Sequence, residues 1–548
     1  MRIALAQLNY IIGDFELNTR KIIQTIESCR QQGADLVVFA ELSVCGYPPR
    51  DFLEFNDFIE KSYQAVETIA RHCTDIAAIV GAPSRNPDTK GKNLFNSAWL
   101  LSDGNVQSLA HKALLPTYDI FDEYRYFEPN RQFKCITYKG VKIALTICED
   151  IWNLVPDPLY ISNPMDVLEA QSPDIMINIA ASPFNYEQQN TRLGILRANT
   201  ALYKIPLIYV NQAGAQTELL FDGNSCAVDI AGNITAQCKA FGEDTTFIDF
   251  NPETGSLVSD LPPATVSSSK IALIHDALVM GIRDYFAKMG FKKAILGLSG
   301  GIDSAVTLAL AAEALGKENV YAVLLPSEFS SDHSINDAVA LAKNLGCKYD
   351  TISIKDGYTS ILGSLQPYFN NLPFNVAEEN IQARVRAIIL MGLANKFGYI
   401  LLNTSNKSEA AVGYGTLYGD MCGGISVLGD VYKTDVYGLA NYINREREII
   451  PVNSITKPPS AELRPGQKDS DSLPDYEILD QILYNYIELR QSPADLIAAG
   501  FDETTVKRVL RMVNMNEWKR HQTPPILRVS PKAFGQGRRM PIVGRYLA

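Results

Sequence analysis

The sequence predicts an α/β protein made of two consecutive domains, and three observations support this class. The chain has 548 residues, more than one ordinary hydrophobic core accommodates. Apolar strand-like runs alternate with helical patterns in both halves. A polar stretch with the pair Pro262-Pro263 and serines at 267–269 separates the halves. We therefore predict a first domain over residues 1–255, a linker over 256–269 and a second domain over 270–548.

In the first domain, short apolar runs predict strands and amphipathic runs predict helices. The sequence starts directly in a strand-like pattern, so no signal peptide is expected. Helices are expected over 18–32 and 57–72. Strands are expected over 3–8, 36–40, 76–80, 98–101, 141–147, 175–179, 207–210, 226–230 and 246–250.

The second domain repeats this alternation. Helices are expected over 270–289 and 305–315, and strands over 294–298, 321–325, 349–354 and 399–402. These strands are apolar on both faces, so we expect a doubly wound parallel sheet that binds its ligands at the carboxyl ends of the strands. The polar, proline-containing segment 458–474 is expected to form a loop.

Composition narrows the functional class. A net charge of −11 and a pI near 5.2 argue against nucleic acid or an anionic membrane as the main partner. The nine cysteines include no Cys-x-x-Cys pair, which argues against a zinc framework and favours reduced thiols in the cytoplasm. No run of about 18 apolar residues is present, so no transmembrane helix is expected.

The most specific motif of the second domain joins an apolar strand, a glycine loop and a helix. Backbone N–H groups converge at such a loop, where the helix dipole is positive, and this suits a phosphate. The motif resembles the SGGxDS loop of the ATP pyrophosphatase (PP-loop) superfamily, although a glycine turn without function is the alternative. The resemblance implies that ATP is bound by Gly297, Leu298, Ser299, Gly300, Gly301, Ile302, Asp303 and Ser304.

Three reactive residues of the first domain each follow an apolar run. They are Glu41, Lys112 and Cys148. Taken singly, each has a structural explanation: a carboxylate at a helix start, a solvated lysine and a small buried thiol. A thiol, an ammonium group and a carboxylate together are also the groups that a cysteine hydrolase needs, because the thiolate is the nucleophile.

In order and local context, these residues resemble the nitrilase/amidase superfamily. The resemblance implies an αββα sandwich in which Cys148 is the nucleophile and Glu41 the general base. It implies that Lys112 stabilises the oxyanion and that Glu123 supports this lysine.

Two further segments, 46–51 and 181–184, resemble the glutaminase domain of the glutamine-dependent NAD synthetase family. This resemblance implies that Tyr118 and Ser182 bind glutamine. A basic residue is common six positions after that serine, but Gln188 stands there in this sequence. Which residue binds the glutamine carboxylate is therefore undecided between Gln188 and Arg192.

The second domain resembles the catalytic domain of NAD synthetases. The matching segments are 299–304, 379–386, 403–409, 418–420, 433–437 and 518–522. The resemblance implies further ATP contacts from Thr404, Lys433 and Ser460, and a Mg²⁺ ion held by the oxygen ligands Asp303 and Glu409. It implies deamido-NAD binding by Asn380, Arg384, Glu409 and Lys519. The alternatives are that Arg384 and Arg386 form a solvated helix face and that Lys519 is a surface charge.

Together the resemblances imply a ligase with an associated glutaminase activity. Glutamine hydrolysis supplies ammonia, and ATP with Mg²⁺ converts deamido-NAD to an adenylate from which ammonia displaces AMP. Small-molecule substrates and a homo-oligomer are the implied partners. One alternative is a PP-loop amidotransferase of the GMP synthetase type, which usually carries a Cys-His-Glu triad, whereas this chain has only five histidines. The other is a binding protein without catalytic activity.

Overall fold

The computed structural model describes residues 1–88, 90–154, 157–265, 267 and 269–546. The chain divides into two compact units, Met1–Ser267 and Ser268–Ala548. Within the segment predicted as a linker, residues Ser256–Val258 form a strand, and positions 266 and 268 lie outside the described residues.

Unit 1 consists of two large sheets, a two-stranded sheet formed by residues 213–216 and 219–222, and helices. The helices are α1 (Phe15–Gln31), α2 (Asn56–Arg71), α3 (Pro164–Glu169) and α4 (Gln188–Tyr203). The strands are β1 (Arg2–Gln7), β2 (Leu36–Val38), β3 (Ala77–Arg85), β4 (Leu94–Ser102), β5 (Asn105–His111), β6 (Ile136–Tyr138), β7 (Val141–Ile147), β8 (Ile175–Ala180), β9 (Leu207–Asn211), β10 (Ala213–Gln216), β11 (Leu219–Asp222), β12 (Cys226–Val228), β13 (Ile234–Gln237), β14 (Asp244–Asn251) and β15 (Ser256–Val258).

The two large sheets of unit 1 pack face to face. Their strand orders are β15-β14-β1-β2-β3-β4-β5 and β13-β12-β9-β8-β7-β6. Side chains alternate between the two faces of a strand. Ile3 and Leu36 of one sheet therefore share a core with Ile143 and Ile177 of the other, while the opposite face of the first sheet packs on α1 and α2. Helices α3 and α4 pack against the second sheet, which gives the expected αββα sandwich.

Unit 2 contains one sheet surrounded by helices. Its strands are β16 (Ala294–Gly297), β17 (Val320–Leu324), β18 (Lys348–Thr351), β19 (Ile400–Asn403) and β20 (Ile425–Ser426). Its helices are α5 (Lys270–Met289), α6 (Ile302–Leu315), α7 (Asp332–Leu345), α8 (Lys355–Leu365), α9 (Val376–Phe397), α10 (Lys407–Val412), α11 (Lys433–Ile443), α12 (Val452–Thr456), α13 (Tyr476–Ile487), α14 (Pro493–Ala498), α15 (Glu503–Met515) and α16 (Glu517–Arg520).

The sheet of unit 2 is parallel throughout, in the order β18-β17-β16-β19-β20. Ile295 and Val323 pack on side chains of α8 and α9. The intervening residues of these strands are also buried, because helices cover both faces. A doubly wound parallel sheet is thus confirmed. From β16 the chain continues to β17 and β18 on one side of the sheet and then to β19 and β20 on the other. Such a change of direction opens a crevice at the carboxyl ends of the strands.

The predicted strands are present, with ends that differ by a few residues. Strand β5 was not predicted, because it is an edge strand with a largely exposed, polar pattern. The segment 349–354 is shorter than expected, since β18 ends at Thr351. No helix within the described residues is both long and apolar enough to cross a membrane.

Candidate active sites

Three of the predicted catalytic residues of unit 1 follow the ends of strands in the two packed sheets. Glu41 comes three residues after β2, Lys112 directly follows β5, and Cys148 directly follows β7. Glu123 opens a 3₁₀ turn. Because β7 packs against the sheet that contains β4 and β5, residues that are distant in the sequence meet.

A buried lysine lies at the centre of this site. The Lys112 Nζ atom donates to Glu41 Oε1 at 2.7 Å and to Glu123 Oε1 and Oε2 at 2.9 and 2.8 Å. The lysine and Glu41 side chains are 0% exposed, and that of Glu123 is 6% exposed. The Tyr47 hydroxyl donates to Glu123 at 2.9 Å. A cation buried with two carboxylates and a phenol is held in one position.

The orientation of Glu41 is fixed by two further donors. The Asn96 Nδ2 atom donates to Oε1 at 2.7 Å, and the Ala181 N–H donates to Oε2 at 2.9 Å. Each carboxylate oxygen therefore has a defined donor, and the lysine does not have to position the carboxylate alone.

Cys148 lies at a sharp bend between β7 and a 3₁₀ turn. Its φ is +46°, an uncommon conformation for a residue with a side chain. The Asp150 carboxylate holds the bend: it accepts from the Ile147 N–H at 3.1 Å and from the Ala113 and Leu114 N–H groups at 2.9 Å. These bonds tie the cysteine turn to the segment that carries the lysine.

Burial and charge shift the pKa values of this site. Burial, with Glu41 nearby, raises the pKa of the Cys148 thiol well above its usual value. Burial raises the pKa of Glu123 to about 7, although the Lys112 ammonium opposes the shift. The pKa of Lys112 is raised because its two carboxylate partners outweigh burial. The lysine therefore stays charged, and the thiol needs a base to lose its proton.

The predicted glutamine-binding residues have the following surroundings. The Tyr118 hydroxyl donates to Glu149 Oε1 at 2.8 Å, and Glu149 directly follows the cysteine. The Ser182 N–H donates to the Asn211 side chain at 2.9 Å. Gln188 is the first residue of α4 and accepts from the Asn185 side chain at 3.2 Å.

Arg192 is not a free cation for a substrate carboxylate. Its Nη1 and Nη2 atoms donate to the two Asp222 oxygens at 3.0 and 2.9 Å, and the arginine is 1% exposed. This bidentate ion pair compensates the charge of the buried arginine. The suggestion that Arg192 replaces the missing basic residue is therefore wrong, and Gln188 remains the residue at that position.

The glycine loop of unit 2 is held by its own hydroxyl groups and by a close backbone contact. Gly301 donates its N–H to Ser299 Oγ at 3.2 Å, and Ser304 Oγ donates to the Gly301 carbonyl at 3.0 Å. Gly300 has a φ of +81°, and a Cβ there would lie 2.1 Å from the Ser334 carbonyl oxygen. Only glycine fits this position. Helix α6 begins at Ile302, so its N-terminus faces the loop.

This loop borders a cavity of about 510 Å³ at the carboxyl ends of the strands. The predicted residues that line it are Gly297, Leu298, Ser299, Gly301, Ile302, Asp303, Ser304, Asn380, Thr404, Glu409, Lys433, Ser460 and Lys519. Gly300 and Arg384 are not among the described lining residues. Ser460 lies in the loop 458–474, and its hydroxyl donates to the Gln467 carbonyl at 2.5 Å.

A lysine between carboxylates also lies at this cavity. The Lys433 Nζ atom donates to Asp303 Oδ2 at 2.5 Å and to Glu409 Oε1 at 3.4 Å. The Asn406 side chain donates to Asp303 Oδ1 at 2.8 Å. Burial and the charge of Asp303 raise the pKa of Glu409 to about 8. Burial also raises the pKa of Asp469, which accepts from two tyrosine hydroxyls.

The residues predicted to bind the dinucleotide occupy different positions. Lys519 donates to the Gly413 and Gly415 carbonyls at 2.9 and 3.0 Å, so it is not a simple surface charge. Asn380 accepts from the Thr416 hydroxyl at 2.7 Å. Arg384 is half-buried, and its Nε atom donates to the Leu417 carbonyl at 3.1 Å.

Some residues of both sites were not predicted from the sequence. Asn96 lies within β4 and belongs to no motif, so nothing in the sequence indicated it. Asp150 lies two residues after Cys148, and Asn406 lies inside the matched segment 403–409, so a polar residue near a predicted site residue was the available signal. Asp469 lies in the loop 458–474, for which only a loop was predicted.

Two family models match this chain and define its class. The carbon-nitrogen hydrolase model matches residues 2–258, and the NAD synthase model matches residues 274–523. The chain is therefore a carbon-nitrogen hydrolase domain followed by an NAD synthase domain.

Relatives of similar length define the family more narrowly. The glutamine-dependent NAD(+) synthetase of Synechocystis sp. is 45% identical over 98% of each chain, and that of Acinetobacter baylyi is 42% identical over 99% of this chain and 98% of its own. A solved structure of the glutamine-dependent NAD+ synthetase from Acinetobacter baumannii in complex with ADP is 39% identical, covers 99% of this chain and 98% of its own, and has a TM-score of 0.79. The chain belongs to the glutamine-dependent NAD(+) synthetase family, which confirms the resemblance and the fold class.

Proposed function

We propose that this chain is a ligase that makes NAD from deamido-NAD, ATP and ammonia, and that it obtains the ammonia by hydrolysing glutamine. One observation carries the proposal: the chain contains two separate buried lysine–carboxylate sites. One adjoins a cysteine at a strand end, and the other adjoins a PP-loop at a cavity. A hydrolase needs only the first site and an adenylating enzyme only the second, whereas a glutamine-dependent ligase needs both.

In unit 1, Cys148 attacks the carboxamide of glutamine. Glu41 takes the thiol proton, gives it to the departing ammonia and later activates the water that cleaves the thioester. Lys112 stabilises the negative charge on the tetrahedral oxygen. The fixed orientation of Glu41 and the raised pKa of the lysine support these roles. Glu123 acts through the lysine by keeping it charged and in place.

In unit 2, the PP-loop holds the phosphates of ATP, with Thr404, Lys433 and Ser460 as further contacts. Asn380, Arg384 and Lys519 bind deamido-NAD, whose carboxylate attacks the α-phosphorus of ATP and releases pyrophosphate. Ammonia then attacks the resulting acyl adenylate, and AMP leaves. Positions at the cavity support this assignment for most of these residues.

A Mg²⁺ ion fits the acidic cluster beside the PP-loop. Asp303 and Glu409 offer the hard carboxylate oxygens that this ion prefers. Burial and the charge of Asp303 raise the pKa of Glu409 although the Lys433 ammonium opposes the shift, so a further cation would stabilise the charged carboxylate. When bound, the ion neutralises charge on the departing pyrophosphate. A cytoplasmic location and a homo-oligomeric assembly remain predictions of the sequence.

The proposal is tested by measuring NAD with the purified chain, deamido-NAD, ATP and Mg²⁺. Glutamine and ammonium chloride serve as alternative nitrogen donors, and each is expected to support NAD formation. Xanthosine monophosphate replaces deamido-NAD in a parallel reaction, where no amidated product is expected. Absence of NAD with both donors would exclude the function, and amidation of xanthosine monophosphate would instead favour the GMP synthetase type.

A further inference from the structure

The positively charged side chains that the structure describes along the cavity of unit 2 are of two kinds, those with an ion-pair partner and those without one. Among the described residues that line it, those with a positive charge are Arg386, Lys433, Lys457 and Lys519. Lys433 and Lys457 each form an ion pair with a carboxylate. Within the described residues, Arg386 and Lys519 form none at 4 Å or less. Lys519 was predicted from the sequence to bind a substrate, but Arg386 was not.

Arg386 is held at the wall of the cavity by one hydrogen bond. Its Nε atom donates to the Leu325 carbonyl at 3.0 Å, directly after the end of β17. Its Nη1 and Nη2 atoms have no protein acceptor in the described part of the chain. One helical turn later, Leu390 packs on Gly297, since a Cβ at this glycine would lie 3.3 Å from Leu390 Cδ1. The arginine therefore lies on the wall nearest the beginning of the PP-loop, with two donor groups unused.

The charge of this arginine is poorly compensated in the free protein. Burial lowers the pKa of Arg386 to about 10, and the charges of Asp420 and Glu462 offset this only in part. A partly desolvated cation without an ion-pair partner costs stability. The cavity is also rich in carboxylates, so an anionic ligand would be repelled without cations that face it. The lining carboxylates are Asp303, Glu379, Glu409, Asp420, Glu462 and Asp469.

We propose that Arg386 binds an oxyanion of the reacting nucleotides inside this cavity, an inference that rests on the proposed function. A guanidinium group with two free N–H donors matches a phosphate or a carboxylate in a bidentate geometry. The position beside the PP-loop favours a phosphate of ATP as the source of the oxyanion. The carboxylate of deamido-NAD offers the same chemistry.

Binding measurements with the full chain separate these two sources. Calorimetry of wild type and Arg386→Gln compares ATP with adenosine, which lacks the phosphates, and deamido-NAD with NAD, which lacks the carboxylate. If the phosphate is bound, the variant binds ATP about tenfold or more weakly and adenosine unchanged. If the carboxylate is bound, the loss falls on deamido-NAD and spares NAD. Unchanged affinity for all four ligands would overturn the proposal.

Two controls exclude effects of charge and folding. Arg511→Gln removes one positive charge from an exposed position on α15 and is expected to leave all four affinities unchanged. Arg386→Lys keeps the charge but not the planar fork, so intermediate affinity is expected. Because these measurements need no turnover, a failure of NAD formation in the wild type would refute the proposed function without deciding the role of Arg386.

The stability of the ligand-free protein tests whether the arginine is only structural. Arg386→Met removes the poorly compensated charge and keeps the apolar stem. We expect its thermal unfolding temperature to equal or exceed that of the wild type, because residues kept for binding often reduce stability. A lower unfolding temperature together with wild-type affinity for ATP and deamido-NAD would show a structural role and overturn the proposal.

Discussion

The two units contain the same arrangement, a buried lysine between two carboxylates, in different surroundings. In unit 1 the arrangement is closed: Lys112 and Glu41 are 0% exposed, and all contacts of the ammonium group to Glu41 and Glu123 are between 2.7 and 2.9 Å. In unit 2 it is open, because the Asp303 and Glu409 side chains are 18% and 17% exposed.

The difference indicates what each lysine does. The first lysine is held in place by its short contacts to Glu41 and Glu123. A fixed position suits its proposed role, because a group that stabilises a developing oxyanion should not have to rearrange. The second makes one short contact, to Asp303, and one long contact of 3.4 Å, to Glu409. The Glu409 carboxylate is therefore held less tightly by its lysine than Glu41 and Glu123 are by theirs, and it is accessible from the cavity.

The largest expected effect is that of Cys148→Ala. The variant should form no NAD from glutamine, because no other group there forms the thioester. It should retain NAD formation from ammonium chloride, most visibly at mildly alkaline pH, where more of the donor is neutral ammonia. NAD assays with the two donors decide the outcome. Glutamine-dependent synthesis that persists would show that this cysteine is structural, and loss of both activities in a folded variant would show that the two sites are not separable.

Asp303→Asn and Glu409→Gln test the open site, where the expected loss affects both nitrogen donors and spares glutamine hydrolysis. Each should lower NAD formation from both donors by about 100-fold or more, since the proposed metal ion would contribute several kcal/mol to stabilising the departing pyrophosphate. Glutamine hydrolysis, measured as glutamate release, is the internal control for an intact unit 1. Near-normal synthesis with ammonium chloride in either variant would remove the metal assignment.

The two lysines themselves should differ in their contribution to stability. Lys112→Met leaves two buried carboxylates without a cation, and such a loss costs about 3–5 kcal/mol. Lys433→Met leaves carboxylates that reach solvent at the cavity, so we expect less than half of that cost. Urea unfolding of both variants measures the difference. Equal destabilisation would show that the open and closed sites are equivalent and would break the comparison.

Much of both sites could be predicted because their residues follow strand ends. The carboxyl ends of neighbouring parallel strands meet at one edge of a sheet, so Cys148 and the PP-loop could be located before the fold was known. Contacts between distant segments could not be predicted from the sequence. The pairing of Arg192 with Asp222 is invisible in the sequence, because 30 residues separate the partners. Arg192 therefore looked available for a substrate.

The choice between Arg384 and Arg386 shows a second limit. Residues two apart on a helix are about 200° apart around its axis, so only one of them can face a given cavity. Buried positions occur on several sides of α9, and an apolar stripe that would orient the helix is therefore missing. Only the structure therefore distinguishes the arginine that lines the cavity from the one that does not.

The smallest expected effect concerns the pH dependence of stability at the open site. The folded protein raises the pKa of Glu409 from 4.5 to about 8. Between these values the folded state binds more protons than the unfolded state, so this group makes the protein less stable as pH rises from about 4.5 to about 8. Glu409→Gln cannot ionise, and its free energy of unfolding relative to wild type should therefore rise by about 1–2 kcal/mol between pH 5 and pH 8.5.

The closed site supplies the matched comparison for this measurement. The pKa of Glu123 is raised only to about 7, and its carboxylate contacts the lysine through both oxygens. The free energy of unfolding of Glu123→Gln relative to wild type should also rise with pH, but only up to about pH 7. Loss of the ion pair with the lysine should lower the stability of this variant at every pH. Mg²⁺ at pH 8.5 should stabilise the wild type and Glu123→Gln but not Glu409→Gln, because only the open carboxylates can accept the ion. Urea unfolding at pH 5, 7 and 8.5, with and without Mg²⁺, tests this, and equal stabilisation of Glu409→Gln would place the ion elsewhere.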